Sequence, residues 1–184
     1  GEGKSFISFN LAASFALYEK KTVLVSFDLR RPNLYHLVDV DKQPGLSEYL
    51  SNNAPLQQII HSTEVENLDV IPAGTVPPNP SELIASQKTN LLFEELRQNY
   101  KYIILDTPPV GLVTDAFLLI QYTTANLFVV RHNYTSKRVF DSLNKNLRQK
   151  KIQNINLVIN DIGLKNNRYE YQYGYYYHSD YYHA

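Results

Sequence analysis

The chain has 184 residues, with 18 lysine and arginine residues, 18 aspartate and glutamate residues and no cysteine. This length suits one domain with its own hydrophobic core, and the lack of cysteine excludes disulfides, thiolate metal sites and thiol catalysis. The balanced charge offers no electrostatic argument for a nucleic-acid partner, and we expect none; no apolar run approaches the roughly 20 residues that span a bilayer.

The first five residues, GEGKS, match the end of a phosphate-binding loop. The full pattern, G-x-x-x-x-G-K-[ST], follows a buried strand, and Gly3, Lys4 and Ser5 supply its last three positions. A natural chain rarely starts inside such a loop, so we expect an N-terminally truncated fragment of a longer protein. A membrane anchor upstream would be compatible with that expectation.

Strands alternate with helices along the rest of the chain. Short apolar runs rich in β-branched residues predict strands over 22–28, 68–74, 102–109, 126–132 and 155–161. Helices are predicted over 5–19, 81–99, 112–121 and 135–150. This alternation indicates an α/β fold with a mostly parallel sheet flanked by helices, in which ligands bind at the carboxyl ends of the strands.

The segment GTVPPNPSEL, residues 74–83, is predicted to be a loop. Its prolines lack the backbone N–H that regular structure uses. Asn79 or Ser81 would cap the helix that follows.

The opening loop predicts a nucleotide site at the start of the first helix. Consecutive backbone N–H groups at a helix N-terminus hold phosphate oxygens, and we assign this contact to Gly1, Glu2, Gly3, Lys4, Ser5 and Phe6. The Lys4 ammonium would reach the β- and γ-phosphates, and the Ser5 hydroxyl would contact Mg²⁺. The alternative is a capped surface turn, because GKS also occurs by chance.

Three polar residues close predicted strands and complete the candidate site. Asp106 ends the apolar run IILD and would hold Mg²⁺ through its water shell; the alternative is a carboxylate that caps the next turn. Asp28 would be a second metal-side carboxylate or a proton acceptor, or else would pair with Arg30 or Arg31. Asn160 would read the adenine edge, or would be a turn residue at the end of its strand.

The C-terminal segment differs in composition from the rest of the chain. From about residue 165 it contains few aliphatic residues and many tyrosines, namely Tyr169, Tyr171, Tyr173, Tyr175, Tyr176, Tyr177, Tyr181 and Tyr182. We divide the chain into a P-loop domain over residues 1–164 and a flexible Tyr-rich tail over residues 165–184. Because the same chain carries the phosphate loop, these hydroxyl groups are predicted to be phosphoryl acceptors; the alternative is an aromatic segment that packs against a partner.

Four of these segments resemble one family. GEGKS, FDLRRP, PAGTVPPNPSEL and LDTPPV look like the Walker A, Walker A′, Pro-rich and Walker B segments of the bacterial tyrosine kinases, the cytoplasmic domains of capsule and exopolysaccharide co-polymerases. The resemblance covers nearly the whole chain. Its most specific parts are PAGTVPPNPSEL, which generic P-loop ATPases do not share, and the tyrosine cluster.

The resemblance implies a fold similar to the partition and septum-placement ATPases and transfer of the γ-phosphate of Mg·ATP to the tail tyrosines, mainly between subunits of a homo-oligomeric ring. By that analogy Lys4, Asp28 and Asp106 are catalytic, while Ser5, Asp28 and Asp106 are on the metal side. The implied partners are a membrane-embedded activator, fused upstream or separate, and a cognate tyrosine phosphatase. The implied location is the cytoplasmic face of the bacterial inner membrane.

Two departures from the family pattern bear on activity. The family's Walker A′ segment usually carries D-x-D, and here Ser26 stands in the first position, so only Asp28 remains. Loss of a carboxylate is expected to weaken metal binding or proton acceptance. In addition, the family's upstream oligomerisation segment is not among these residues.

Two other functions stay open beside the kinase. A partition-type assembly ATPase would hydrolyse ATP to switch dimers, although the tyrosine tail argues against it. A weakly catalytic ring scaffold would bind nucleotide with little turnover, and Ser26 is the residue that keeps this alternative open.

Overall fold

The computed structural model describes residues 1–109, 115–149, 152 and 154–163. In chain order the elements are α1 (Lys4–Leu17), β1 (Thr22–Ser26), α2 (Tyr35–Val38), α3 (Leu46–Leu50), α4 (Leu56–Ile59), β2 (His61–Ser62), β3 (Leu68–Ile71), α5 (Pro80–Ile84), α6 (Gln87–Asn99), β4 (Tyr102–Asp106), α7 (Asp115–Leu119), a 3₁₀ turn (Ile120–Tyr122), β5 (Asn126–Arg131), α8 (Lys137–Gln149) and β6 (Ile155–Asn160). No helix within these ranges is both long and apolar enough to cross a bilayer.

The strands form two sheets. A four-stranded sheet has the order β2-β3-β1-β4, and in it β1 runs parallel to both β3 and β4 while the short β2 is antiparallel to β3. The strands β5 and β6 form a separate parallel pair. The mostly parallel α/β architecture predicted from the sequence is therefore confirmed.

The central strand β1 is buried along its whole length because helices cover both faces of its sheet. On one face Leu24 packs with Ala12 and Ala16 of α1. On the opposite face Val23 and Val25 belong to the cluster that α3 and α6 complete. A strand covered on both sides reads as a continuous apolar run, which explains why TVLVS was recognisable in the sequence.

The aromatic side chains of the second face stack in a row. The rings of Phe27 and Phe93 have centroids 5.9 Å apart, and those of Phe93 and Tyr122 have centroids 4.4 Å apart. Arg97 on α6 donates a hydrogen bond to the Tyr122 carbonyl at 3.1 Å. These contacts join the turn after α7 to the sheet that carries the carboxyl-edge residues.

The predicted helix over 81–99 is wrong in its continuity, because the chain forms two helices separated at Ala85 and Ser86. The first of them begins at Pro80, inside the segment predicted to be a loop, since proline suits the first helical position where no N–H donor is needed. Asn79 occupies the N-cap position, but its amide donates to Glu82 Oε2 at 2.8 Å and does not cap the helix.

The other differences concern short elements. The predicted ends of β1, β3 and β4 lie two or three residues beyond the observed ends. The predicted ends of β5 and β6 lie one residue beyond the observed ends. The elements α2, α3, α4 and β2 had no predicted counterpart. Helices of four or five residues are too short to give a hydrophobic period.

Candidate functional site

The helix α1 begins with a backbone geometry suited to holding an anion. Gly3 is its N-cap and has a left-handed φ of 92°. The φ favours glycine, and a Cβ at this position would lie 2.2 Å from the Asn160 amide nitrogen and displace that side chain. The first turn carries no acidic residue, and its N–H groups lack partners within the helix, which together favour a bound phosphate.

Lys4 is held beside the loop by an acidic neighbour. Its Nζ lies 2.8 Å from Glu2 Oε2, and both side chains are about one-quarter exposed. The Lys4 hydrogen bond lowers the pKa of Glu2 and outweighs the opposing effect of burial. A phosphate that enters the loop would compete with Glu2 for the ammonium group.

The ends of β1 and β4 bring two buried oxygens to the same place. Ser26 and Asp106 are register partners on adjacent parallel strands, and each is about 1% exposed. Neither Ser26 Oγ nor Asp106 Oδ2 has a hydrogen-bond partner among the described residues. The other carboxylate oxygen of Asp106 accepts a long hydrogen bond of 3.4 Å from Ser8 on α1.

Burial raises the pKa of Asp106, and the nearby Asp28 carboxylate raises it further, while Ser5, Lys4 and Ser8 partly offset this. A bound cation would offset the repulsion that opposes ionisation of Asp106. The unpartnered buried oxygens and the hard oxygen chemistry of these residues fit Mg²⁺. No group of three or more acidic or histidine side chains in the described ranges could hold a metal alone, so Mg²⁺ here would depend on phosphate oxygens and water.

Asp28 lies two residues beyond β1 and is held by backbone donors. Its Oδ1 accepts the N–H of Arg30 at 3.3 Å and the N–H of Arg31 at 3.0 Å. The guanidinium of Arg30 pairs with Asp115, 2.8 Å away. Arg30 therefore does not form the ion pair with Asp28 that was the alternative interpretation, because its side chain pairs with Asp115.

Asn160, at the end of β6, contacts the loop. Its amide donates to the Glu2 carbonyl at 3.0 Å. Beside it, Arg131 forms an ion pair with Asp161 at 2.8 Å and lies 3.5 Å from the Gly1 carbonyl. The adenine contact assigned to Asn160 stays a prediction.

A cavity of about 940 Å³ separates β4 from β5, the facing strands of the two sheets. Its walls are largely apolar, with side chains such as Leu105, Phe128 and Val129, and Lys4 and Asp106 also line it. The apolar walls do not suit phosphates, which we assign to the turn at Gly3 to Ser5.

The structure brings Lys4, Ser5, Asp28 and Asp106 to one edge of the sheet; their roles in binding phosphate and Mg²⁺ stay predictions. Sequence reasoning missed Ser8 and Asn33. Ser8 lies one helical turn after Lys4, and Asn33 accepts a hydrogen bond from Ser5 Oγ at 3.3 Å. The helical spacing of Ser8 was a usable signal, whereas nothing local marked Asn33. The eight tail tyrosines lie outside the described residues.

Comparisons with known proteins agree with this geometry. A family model described as an AAA domain matches residues 1–159. The tyrosine-protein kinase ptk of Acinetobacter johnsonii is 38% identical over 160 residues, which are 87% of this chain and 22% of that protein. The tyrosine-protein kinase CpsD of Streptococcus pneumoniae is 36% identical over 170 residues, which are 92% of this chain and 75% of that protein.

Solved structures give the same result. The kinase domain of the Escherichia coli tyrosine kinase ETK superposes with a TM-score of 0.84 at 32% identity, covering 90% of this chain and 65% of that one. The chimerical protein CapA2B2 superposes with a TM-score of 0.82 at 35% identity, covering 89% of this chain and 73% of that one. The septum site-determining protein MinD of Pyrococcus horikoshii, complexed with Mg-ADP, superposes with a TM-score of 0.67 at 22% identity, covering 85% of this chain and 63% of that one. At this identity the likeness is one of fold alone.

The loop, the parallel sheet and the edge carboxylates define a P-loop nucleotide-binding domain of the AAA-domain family. Within that class the chain belongs to the bacterial tyrosine kinases. The expectation of this family from GEGKS, FDLRRP, PAGTVPPNPSEL and LDTPPV is confirmed.

Proposed function

We propose that this chain is an ATP-dependent protein-tyrosine kinase domain that phosphorylates the tyrosines of its own C-terminal segment. Phosphorylation would occur mainly between neighbouring copies and would regulate capsular or exopolysaccharide synthesis and export. The observation that carries the proposal is the proximity of Lys4 and Ser5 of the phosphate loop to Asp106 and Asp28, which follow neighbouring strands at one edge of the sheet. Relatives that are tyrosine-protein kinases support it.

The phosphate-binding part of the mechanism belongs to the start of α1. Its free N–H groups would hold the phosphates, and Lys4 would exchange its contact with Glu2 for the β- and γ-phosphate oxygens. Transfer runs through a loose transition state in which positioning and charge neutralisation do most of the work. These residues provide both.

Ser5, Asp28 and Asp106 would hold Mg²⁺. When bound, Mg²⁺ neutralises charge that develops on the phosphate oxygens. Asp106 is the buried member of the set, about 1% exposed, and its Oδ2 has no hydrogen-bond partner among the described residues, while its Oδ1 accepts from Ser8 of α1.

The acceptor is a tyrosine hydroxyl, which has a reference pKa of about 10 and arrives protonated at neutral pH. Asp28 would take this proton late in the reaction, since bond breaking leads in a loose transition state. The backbone donors of Arg30 and Arg31 occupy Asp28 Oδ1 and so fix the orientation of the carboxylate.

The tail would be the substrate of a ring of identical subunits. Each phosphate adds about −1.5 to −2 charge, so phosphorylated tails would repel one another and loosen the ring. The partners proposed with this are a membrane-embedded activator and a cognate tyrosine phosphatase, at the cytoplasmic face of the bacterial inner membrane. The similarity to the CapA2B2 chimera supports an activator segment.

A nucleotide-binding ring scaffold with little turnover is the second candidate. The observation that favours it is Ser26, which leaves one carboxylate fewer beside Asp106 than the usual D-x-D pattern. A partition-type assembly ATPase has only the likeness of fold to MinD in its favour.

Intact mass spectrometry of the full-length protein tests the proposal. The protein would be incubated with Mg·ATP and the activator segment, beside Lys4→Met, the matched surface variant Lys20→Met and a variant with the eight tail tyrosines changed to phenylalanine. A ladder of phosphate additions on residues 169–182 in the wild type and in Lys20→Met, absent from the other two, is expected. An unmodified wild-type mass with nucleotide still bound would favour the scaffold, and phosphate release without labelling would favour the assembly ATPase.

A further inference from the structure

The Pro-rich segment PAGTVPPNPSEL is anchored to the rest of the domain at both ends. At its start, Glu48 of α3 accepts hydrogen bonds from the backbone N–H of Thr75 at 3.0 Å and from the Thr75 hydroxyl. The second oxygen of Glu48 accepts the Gly45 N–H at 2.8 Å. Residues between the anchors, such as Val76, are exposed.

At its other end, the segment joins a three-membered cluster. The Ser81 hydroxyl donates to Asp115 Oδ1 at 2.5 Å and accepts a hydrogen bond from Arg30 Nη2 at 2.9 Å. Arg30 Nε donates to Asp115 Oδ2 at 2.8 Å. We call Arg30, Ser81 and Asp115 the clamp.

The clamp has a buried carboxylate at its centre. Asp115 is about 1% exposed, at the start of α7. Burial alone would raise the pKa of Asp115, but the hydrogen bonds from Arg30 and Ser81 outweigh it and keep that pKa below the ordinary range. A buried charge that is satisfied from two sides keeps its partners in one arrangement.

One step connects the clamp to Asp28. The backbone N–H of Arg30 and that of the next residue donate to Asp28 Oδ1. Whatever fixes the Arg30 side chain therefore also fixes the turn that orients the Asp28 carboxylate. The Pro-rich segment, through Ser81, contacts this turn from a position 51 residues away in sequence.

We infer that Arg30 and Ser81 are positioning residues for phosphoryl transfer, through which the Pro-rich segment holds the turn that orients Asp28. The inference rests on the proposed function and gives a physical role to the segment that generic P-loop ATPases do not share. The clamp residues act through the backbone of residues 28–31.

Two mild substitutions test the clamp without burying an unpaired charge. Arg30→Lys keeps the charge and loses the forked geometry, and Ser81→Ala removes one hydroxyl. The matched controls are Arg97→Lys, where an arginine joins α6 to the Tyr122 carbonyl, and Ser62→Ala, where a serine donates to the Asp69 carboxylate at 3.1 Å. All four are made in the full-length protein.

Kinetics of tail phosphorylation give the first readout. Arg30→Lys and Ser81→Ala are expected to lower kcat about tenfold, with the KM for ATP changed less than about twofold, because misorientation of a reacting group affects the chemical step. In an Asp28→Asn background, Arg30→Lys is expected to lower kcat no further, since both substitutions act on the Asp28 carboxylate. If Arg30→Lys lowered kcat by the same factor in the wild-type and the Asp28→Asn backgrounds, the inference would be overturned.

Hydrogen–deuterium exchange gives a second readout that needs no activity. The amides of residues 28–33 are expected to exchange several-fold faster in Arg30→Lys and in Ser81→Ala, with residues 22–26 unchanged and both controls like the wild type. Unchanged exchange at 28–33 in both clamp variants would contradict the inference. If the wild type phosphorylates nothing, the proposed function fails, and the exchange data alone still decide whether the clamp holds the turn.

Discussion

Ser26 and Asp106 face each other across the β1–β4 ladder as register partners, each about 1% exposed, and each carries an oxygen without a partner among the described residues. Parallel strands lie about 4.8 Å apart, so one ligand or water would reach both oxygens. A buried polar atom without a hydrogen bond is uncommon, and two of them side by side indicate that the site is built to receive something.

Removal of the Ser26 hydroxyl is predicted not to harm the fold in the absence of ligands. Ser26→Ala deletes a buried oxygen that has no partner in the described structure, so the free energy of unfolding should stay the same or rise by up to about 1 kcal/mol. Thr22→Val on the same strand is the control. It loses a 2.7 Å hydrogen bond to the Lys20 carbonyl and should cost about 1 kcal/mol. Urea unfolding measures both, and a clear loss of stability in Ser26→Ala would mean that the hydroxyl is bonded.

A carboxylate at position 26 is predicted to make the thermal stability of the domain depend on bound metal. Ser26→Asp places a second buried negative charge beside Asp106, and like charges at this distance oppose ionisation of both. The thermal midpoint in EDTA should fall below that of the wild type, and Mg·ADP should raise it by more than it raises the wild-type midpoint. An equal rise in both proteins would show that position 26 lies outside the reach of the metal.

Gly74 is predicted to tolerate no side chain. Its φ is 82°, and a Cβ would lie 2.0 Å from Glu48 Oε2 and 2.5 Å from Ser47 Oγ. Gly74→Ala should therefore lower the free energy of unfolding by about 2 kcal/mol or more. Gly163→Ala, where no atom of the described residues lies within 4 Å of the added Cβ, is the control and should change little. A Gly74→Ala protein as stable as the control would mean that α3 can move away from the segment.

Acid is predicted to loosen the anchor at Glu48. Burial would raise its pKa, but the hydrogen bonds from Thr75 and Gly45 outweigh burial and lower the pKa below 4.5. A depressed pKa in the folded state contributes stability above the unfolded-state value of 4.5, and this contribution is lost as the pH falls through the folded-state value.

Glu48→Gln tests this pH dependence. The substitution should cost about 1–2 kcal/mol at pH 7, and the difference from the wild type should shrink as the pH falls below the unfolded-state value of 4.5. The exposed residue Glu66 provides the control, Glu66→Gln, whose unfolding curves should follow the wild type across the range. A constant difference at every pH would show that the charge of Glu48 does not matter.

The sequence was a good guide wherever the signal is local. A glycine, a lysine and a serine at the start of a helix form a phosphate site through adjacent backbone groups, so Gly3, Lys4 and Ser5 could be recognised without any tertiary knowledge. Asp28 and Asp106 follow apolar runs, and the carboxyl ends of parallel strands meet at one edge. By contrast, the region 35–62 forms helices of four or five residues, whose patterns are too short to distinguish from loop.

The sequence by itself determined the class of fold, the phosphate loop and the two strand-end carboxylates, because each depends on residues close together in the chain. Only the tertiary structure decided which distant groups complete the site. Arg30 pairs with Asp115, 85 residues away, and Asn160 donates to Glu2, 158 residues away. Such pairs form because strand order and helix packing bring chain segments together, and a single sequence carries no local pattern that specifies which partner a charged side chain will meet.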